Sequence, residues 1–271
     1  QGIIRDVTQQ KKVEAERLQL AAIQRELLIA RKMQHGLLPP PRPAWPGLEV
    51  ACISAPARDV GGDFYSYNAP PAGSSQGYGV AIGDVSGKGM SAALLMGTCL
   101  AQFDASAALG LSPSERMAHL DLAVKPYTEA RGQNCALCYS EISPPMAGQP
   151  GSVTVVNAGC VAPYIKRRDG SVEWHEVTGF PLGIGLGAEH GYMSKTVSLG
   201  PGDMIVLASD GVVETMDENG DLLGFEDLEI ILRQAPVNSA EALQFYLLEA
   251  VVDFAGERER ADDMTIVVVR V

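Results

Sequence analysis

Three consecutive prolines, Pro39-Pro40-Pro41, divide the chain into two regions that have to fold differently. Proline lacks the amide donor that a helix needs and restricts the residue before it, so a helix reaching Leu38 must stop there. Upstream, from Lys11 to Leu38, there is no proline and a single glycine, Gly36, and good helix formers dominate. With position a at Val13, the a and d positions fall on Val13, Glu16, Leu20, Ile23, Leu27, Ala30, Gln34 and Leu37, of which six are apolar. This predicts a coiled-coil seam, interrupted at Glu16 and Gln34, on a helix about 40 Å long. A helix packed on its own domain would carry a similar stripe, but this one precedes the compact region. A parallel homodimer through residues 11–38 is the expectation.

Downstream of Trp45, Gly, Pro and Asn cut the chain into short apolar runs. Leu48–Ala55, Tyr78–Ile82, Asn134–Ile142, Ser152–Asn157, Ala162–Lys166, Val172–Val177, Tyr192–Leu199, Asp203–Ala208 and Met264–Val271 read as strands. Ser91–Ala108, Pro113–Ala130, Phe225–Gln234 and Ser239–Ala255 read as helices. Strands do not alternate regularly with helices, which argues against a wound parallel sheet and for an α+β (α/β layered) fold built on antiparallel sheets. Residues 45–271 form one domain on this reading, with 11–44 as a linker helix and Pro-rich junction.

Charge and composition exclude several classes of function. Twenty-one Lys and Arg against 33 Asp and Glu leave a formal charge of −12, so a broad phosphate-gripping face, and with it nucleic acid, is not expected. The most apolar stretch, Ala92 to Ala101, is about half the roughly 20 residues of a membrane span. No signal peptide is evident and the chain starts at Gln1, which reads as a fragment of something longer. Five cysteines scattered through apolar segments suggest reduced thiols in a cytoplasmic protein. Cys135 and Cys138 are three apart on a strand and so point to opposite faces, which argues against a redox or zinc pair. His35, His119, His175 and His190 have no ligand spacing, and Lys88 reads as a turn or helix-start residue.

Four segments share one design, an apolar run reaching an Asp beside small residues: Val60-Gly-Gly-Asp63, Ala81-Ile-Gly-Asp84, Leu207-Ala-Ser-Asp210 and Ala261-Asp262-Asp263. Any one of them alone is ordinary turn chemistry. Together, as strand ends at one rim of a sheet, they bring carboxylates that repel one another unless a cation neutralises them. Mg²⁺ or Mn²⁺ prefers such oxygen ligands, and two ions about 3.5–4 Å apart can activate a shared water and stabilise a phosphoryl oxygen.

In this order, Arg58-Asp-Val-Gly-Gly-Asp-Phe-Tyr65, Gly83-Asp-Val-Ser-Gly-Lys-Gly89, Asn157-Ala-Gly159, Phe180-Pro-Leu-Gly183, Ser209-Asp-Gly211 and Asp262-Asp-Met-Thr265 resemble the metal-dependent protein phosphatases. The subgroup resembled is the bacterial SpoIIE/RsbU type, and the resemblance spans nearly all of residues 45–271. Leu28–Pro39 is similar to that subgroup's helix-to-domain junction, and residues 1–10 resemble the end of an upstream PAS-type sensor domain. The resemblance implies an antiparallel β-sandwich flanked by helices. It also implies hydrolysis of phosphoserine or phosphothreonine, with a phosphorylated STAS-type anti-sigma-factor antagonist as the partner. Carried over residue by residue, Asp84 bridges two Mn²⁺ or Mg²⁺ ions with the carbonyl of Val85 beside it. Asp63, Asp210 and Asp262 fill the remaining places, with Asp263 the weaker member of its pair. Arg58 has the spacing of an arginine that holds substrate phosphate. The chain departs from the subgroup at Cys160, where histidine is usual.

Two other readings compete. Gly61-Gly62-Asp63-Phe64 partly mimics a diguanylate cyclase signature, but the second acid is missing. A metal-free pseudophosphatase that only binds a partner would be marked by loss of an acidic ligand, and all four acids are present.

Overall fold

The computed structural model describes residues 8–70, 76–146 and 149–271. Most of the segment resembling a sensor-domain end, 1–10, lies outside the described residues. Helix α1 (Thr8–His35) stops before Leu38. Gly36 N donates to the Lys32 carbonyl and Leu37 N to the Gln34 carbonyl, both at 3.0 Å, so Gly36 closes the last turn ahead of the prolines. The proline run is strapped to the domain instead, since the hydroxyls of Tyr65 and Tyr67 donate to the carbonyls of Pro39 and Pro40, each at 2.8 Å.

Ten strands are found among the described residues: β1 (Glu49–Ala55), β2 (Phe64–Asn68), β3 (Tyr78–Val85), β4 (Cys135–Ser143), β5 (Gly151–Ala158), β6 (Tyr164–Lys166), β7 (Val172–Trp174), β8 (Ser194–Leu199), β9 (Met204–Ala208) and β10 (Met264–Arg270). They make two five-stranded sheets, ordered β1-β10-β9-β6-β7 and β2-β3-β4-β5-β8, with every ladder antiparallel.

Alternation along each strand builds the layers. In β10, Val267 and Val269 point between the sheets, where they meet Val80, Ile82, Ile205 and Leu207. Met264, Ile266 and Val268 point outward, beneath α5 (Asp210–Val213), α6 (Gly224–Gln234) and α7 (Ala240–Ala255). The outer face of the second sheet carries Ala81, Leu137 and Tyr139 under α2 (Met90–Ser106) and α3 (Pro113–Thr128). Cys135 belongs to that outer layer and Cys138 to the layer between the sheets, as their spacing on a strand requires. The result is helix–sheet–sheet–helix, the expected sandwich. Burying each large aliphatic side chain is worth about 1.5–3 kcal/mol. Exposed pairs such as Arg233–Glu229 are worth about 0–1 kcal/mol, so the three apolar layers dominate stability.

Three elements were not expected: β2, the five-residue α4 (Leu186–His190) and the four-residue α5. The estimate of apolar length also needs correcting. Met90–Leu109, α2 with the turn that follows, is long and apolar enough by length and composition to cross a membrane. Here its Ala92, Leu95, Met96, Cys99, Leu100 and Phe103 are buried against the second sheet, which accounts for the apolar run as a core helix.

Candidate metal centre

The four acids do not all end strands. Asp63 immediately precedes β2, Asp84 is the penultimate residue of β3, Asp210 opens α5 after β9, and Asp262 lies in the loop before β10. They still share one rim, because antiparallel pairing sets the start of a strand beside the end of its neighbour. Phe64 pairs with Gly83, and Ile266 with Ala208. Each sheet therefore contributes two acids, and face-to-face packing brings the pairs together.

Local chemistry holds the rim closed. Thr265 N donates to Ser209 Oγ at 2.9 Å and Ser209 N to the Thr265 carbonyl at 2.9 Å, which locks the end of β9 to the start of β10. Asp263 fastens the connection between the sheets, its carboxylate accepting from Ala57 N, just past β1, at 2.8 Å and from Gly62 N, just before β2, at 2.7 Å. A side chain at Gly61 would collide with that carboxylate, and one at Gly62 would come within 2.5 Å of the Val85 carbonyl. The two glycines thus let the backbone come close to Asp263 and leave Val85 O and Asp84 facing the same gap.

Burial first, and the neighbouring Asp84 second, push the Asp63 carboxyl well above the usual carboxylate range. Asp84 is pushed up to about 7 by burial and then by Asp210, Asp262 and Asp263. Asp210 is raised by burial and by Asp262. Asp63 Oδ2 is buried with no hydrogen-bond partner. Carboxylates that are buried, adjacent and underprovided with donors are suited to hard divalent cations, so the donor set fits the expected ions. Among the described residues no three acidic, His or Cys side chains stand close enough to hold an ion as they are. Asp262 Oδ2 is paired with the Lys88 ammonium at 3.0 Å.

The remaining expected residues divide clearly. Arg58 is exposed at the mouth, lining a cleft with Val60, Lys88 and Asp262. Cys160 lines a cavity of about 210 Å³ with Asp84, Ser209, Asp210 and Phe225, and its burial pushes the thiol well up, toward the neutral form. The Asn157-Ala-Gly159 motif builds a turn, since Asn157 Nδ2 donates to the carbonyls of Cys160 and Val177, both at 2.8 Å. Phe180–Gly183 is likewise structural. The Asp121 carboxylate accepts from Gly183 N at 2.6 Å, Gly185 N at 3.0 Å and Ala188 N at 2.8 Å.

Sequence reasoning missed two groups at this rim. One is Lys88, described above. The other is Glu214, whose carboxyl is raised by burial and by Asp210 and Asp262. Gln34 was also misplaced as a seam residue. Its Nε2 donates to the Gly61 carbonyl at 2.6 Å and its Oε1 accepts from Gly61 N at 3.1 Å, so it grips the loop leading to Asp63. Arg31, Lys32, His35 and Asp63 line a cavity of about 450 Å³ between α1 and that loop.

Residues 74–271 match the family described as stage II sporulation protein E (SpoIIE). Phosphoserine phosphatase RsbU of Bacillus subtilis (strain 168) is 28% identical over 249 residues, covering 92% of this chain and 70% of RsbU. The SiaA-PP2C domain of Pseudomonas aeruginosa superposes with a TM-score of 0.74 at 20% identity, covering 98% of this chain and 100% of that one. The PP2C phosphatase domain of SpoIIE from Bacillus subtilis, with a fragment of its regulatory domain, gives 0.65 at 22% identity over 83% of this chain and 63% of that one. At these identities the structural likenesses establish the fold.

Proposed function

Since the chain belongs to the SpoIIE family and is a PP2C-type serine/threonine phosphatase of signalling, we propose that it dephosphorylates a STAS-type antagonist protein at a two-ion Mn²⁺ or Mg²⁺ centre. The observation that carries the centre is the meeting of two acids from each sheet on one rim, with Asp63 Oδ2 buried and without a hydrogen-bond partner; burial and the neighbouring acids raise Asp63, Asp84 and Asp210 in accord with it. Asp84 would be the ligand shared by the two ions, with the Val85 carbonyl beside it, and Asp63, Asp210 and Asp262 would complete the set. Two divalent ions held there would supply an activated water for direct attack on phosphorus and charge to neutralise the phosphoryl oxygens. Arg58, free at the mouth, holds the substrate phosphate through its planar guanidinium. No covalent phospho-enzyme is needed, so the chain requires no Ser or Cys nucleophile. Asp84→Asn, assayed on a phosphoserine protein with saturating Mn²⁺, is expected to cost more activity than any other single change. Near-normal turnover would remove Asp84 from the bridging role.

Substrate choice rests on shape around the phosphoserine, because a charge of −12 gives no long-range attraction to an acidic protein. Five free cysteines accord with a reducing cytoplasm. Control comes from a sensor domain upstream in the same chain, through α1. Val13, Leu18, Leu20 and Ile23 are exposed on its N-terminal half, ready for a second copy, whereas Leu27, Ala30 and Gln34 are partly buried toward the domain. Two contacts carry the signal inward. Gln34 holds Gly61 two residues before Asp63, and Leu37 Cδ1 packs over Gly97 of α2, 3.3 Å from where a Cβ there would sit.

A further inference from the structure

Lys88 sits in a turn between Gly87 and Gly89, both with positive φ (97° and 77°), directly after the Asp84–Val85 end of β3. Its ammonium donates to the Ala261 carbonyl at 2.9 Å and stands 3.0 Å from Asp262 Oδ2. The other oxygen of that carboxylate is already engaged, because Asp262 Oδ1 accepts from Asp263 N at 2.9 Å. Oδ2 is therefore the oxygen left for an ion, and Lys88 occupies it.

We propose that Lys88 is a resident counter-cation of the metal centre: it holds Asp262 when no ion is bound and must release it before a divalent ion can use that carboxylate. The proposal rests on reading Asp262 as a ligand. Electrostatics explains why such a cation is useful. Asp262 lies close enough to Asp84 and Asp210 to raise both, and Lys88 is the cation that opposes this at Asp210 and at Glu214. Without it, the metal-free rim would hold its acids with less compensation. Release is mechanically simple. The Lys88 side chain is 48% exposed and its partner 40%, and a four-carbon stem swings out by rotamer change with the backbone fixed. The same exposure bounds the effect, since a half-exposed pair shifts a binding equilibrium by about two- to fivefold. Lys88 therefore acts with opposite sign on the two states, stabilising the metal-free protein and weakening its hold on the ion at Asp262.

The test is calorimetric titration of the full chain with Mn²⁺ alone, together with thermal unfolding in chelator. Five proteins are compared: wild type, Lys88→Gln, Arg58→Gln, Asp262→Asn and the Lys88→Gln/Asp262→Asn double variant. Lys88→Gln should bind Mn²⁺ about two- to fivefold more tightly and unfold at a lower temperature than wild type when metal-free. Arg58→Gln removes a positive charge from the same mouth without touching Asp262 and should leave Mn²⁺ affinity unchanged. In the Asp262→Asn background the gain from Lys88→Gln should vanish. Unchanged or weaker binding by Lys88→Gln overturns the proposal, as does an equal gain in Arg58→Gln, which would reduce it to a general charge effect. A wild-type chain that binds no Mn²⁺ would overturn both this proposal and the metal-centre reading. Wild-type binding with no response to Lys88→Gln would overturn this one alone.

Discussion

Asp262 and Asp263 are chemically identical neighbours whose positions give them opposite tasks. Asp263 is buried and satisfies two backbone amides of the β1–β2 connection, whereas Asp262 is half-exposed and faces the acids. Asp263→Ala leaves Ala57 N and Gly62 N without their acceptor, at about 1–3 kcal/mol for the buried Gly62 donor and less for the part-buried Ala57. The metal-free protein should unfold several degrees lower by calorimetry. Asp262→Asn should stay within about 0.5 kcal/mol of wild type while its response to Mn²⁺ falls. His175 gives a separate handle on pH. Burial pushes its imidazole below the usual histidine value, so the unfolded chain binds more protons than the folded one as pH falls through about 6.5. That contribution is fully present above pH 6.5 and is lost on acidification, and His175→Gln should flatten this limb of a stability–pH curve. At this scale the gathering of the four acids on one rim was legible, because an acid next to glycine reads locally. Lys88 was not legible, since its partner lies 174 positions along the chain and no local pattern connects the two.

Among elements, the long ones were read correctly because their periods are unambiguous. β4, β5 and β10 alternate between two cores, and α7 begins where Ser239 Oγ accepts from Ala242 N at 3.0 Å. β2 was missed because Gly61-Gly62-Asp63 looked like the close of a strand, when it is the lead-in to one. Helix α1 was misjudged at its end, where Gly36 acts before Pro39, and in its seam, where Gln34 turns to Gly61. These are tertiary outcomes that a heptad count does not contain. The exposed apolar stretch around Leu20 and the domain-facing stretch around Gln34 can be tested apart. Leu20→Glu, on a fully exposed stretch, should convert a dimer to a monomer by light scattering. Gln34→Ala should leave the mass unchanged and alter the phosphatase rate, whereas a chain starting at Pro40 should be a monomer with an altered rate. Equal rates in all three would leave α1 a mere tether.

For the whole molecule, a charge of −12 predicts an unusual salt dependence. With an acidic phosphoprotein as substrate, kcat/KM should rise as ionic strength goes from about 10 to 150 mM, because screening shortens from about 30 Å to 8 Å. A fall over that range would mean that a local basic surface governs encounter. One feature of the topology reaches further. β10 is late in the chain yet sits between β1 and β9, in the interior of its sheet, and the fourth acid is carried just ahead of it. The two parts of that sheet, β1 on one side and β9-β6-β7 on the other, are joined through β10 alone, so the strand that closes the sheet also sets the fourth acid beside the other three.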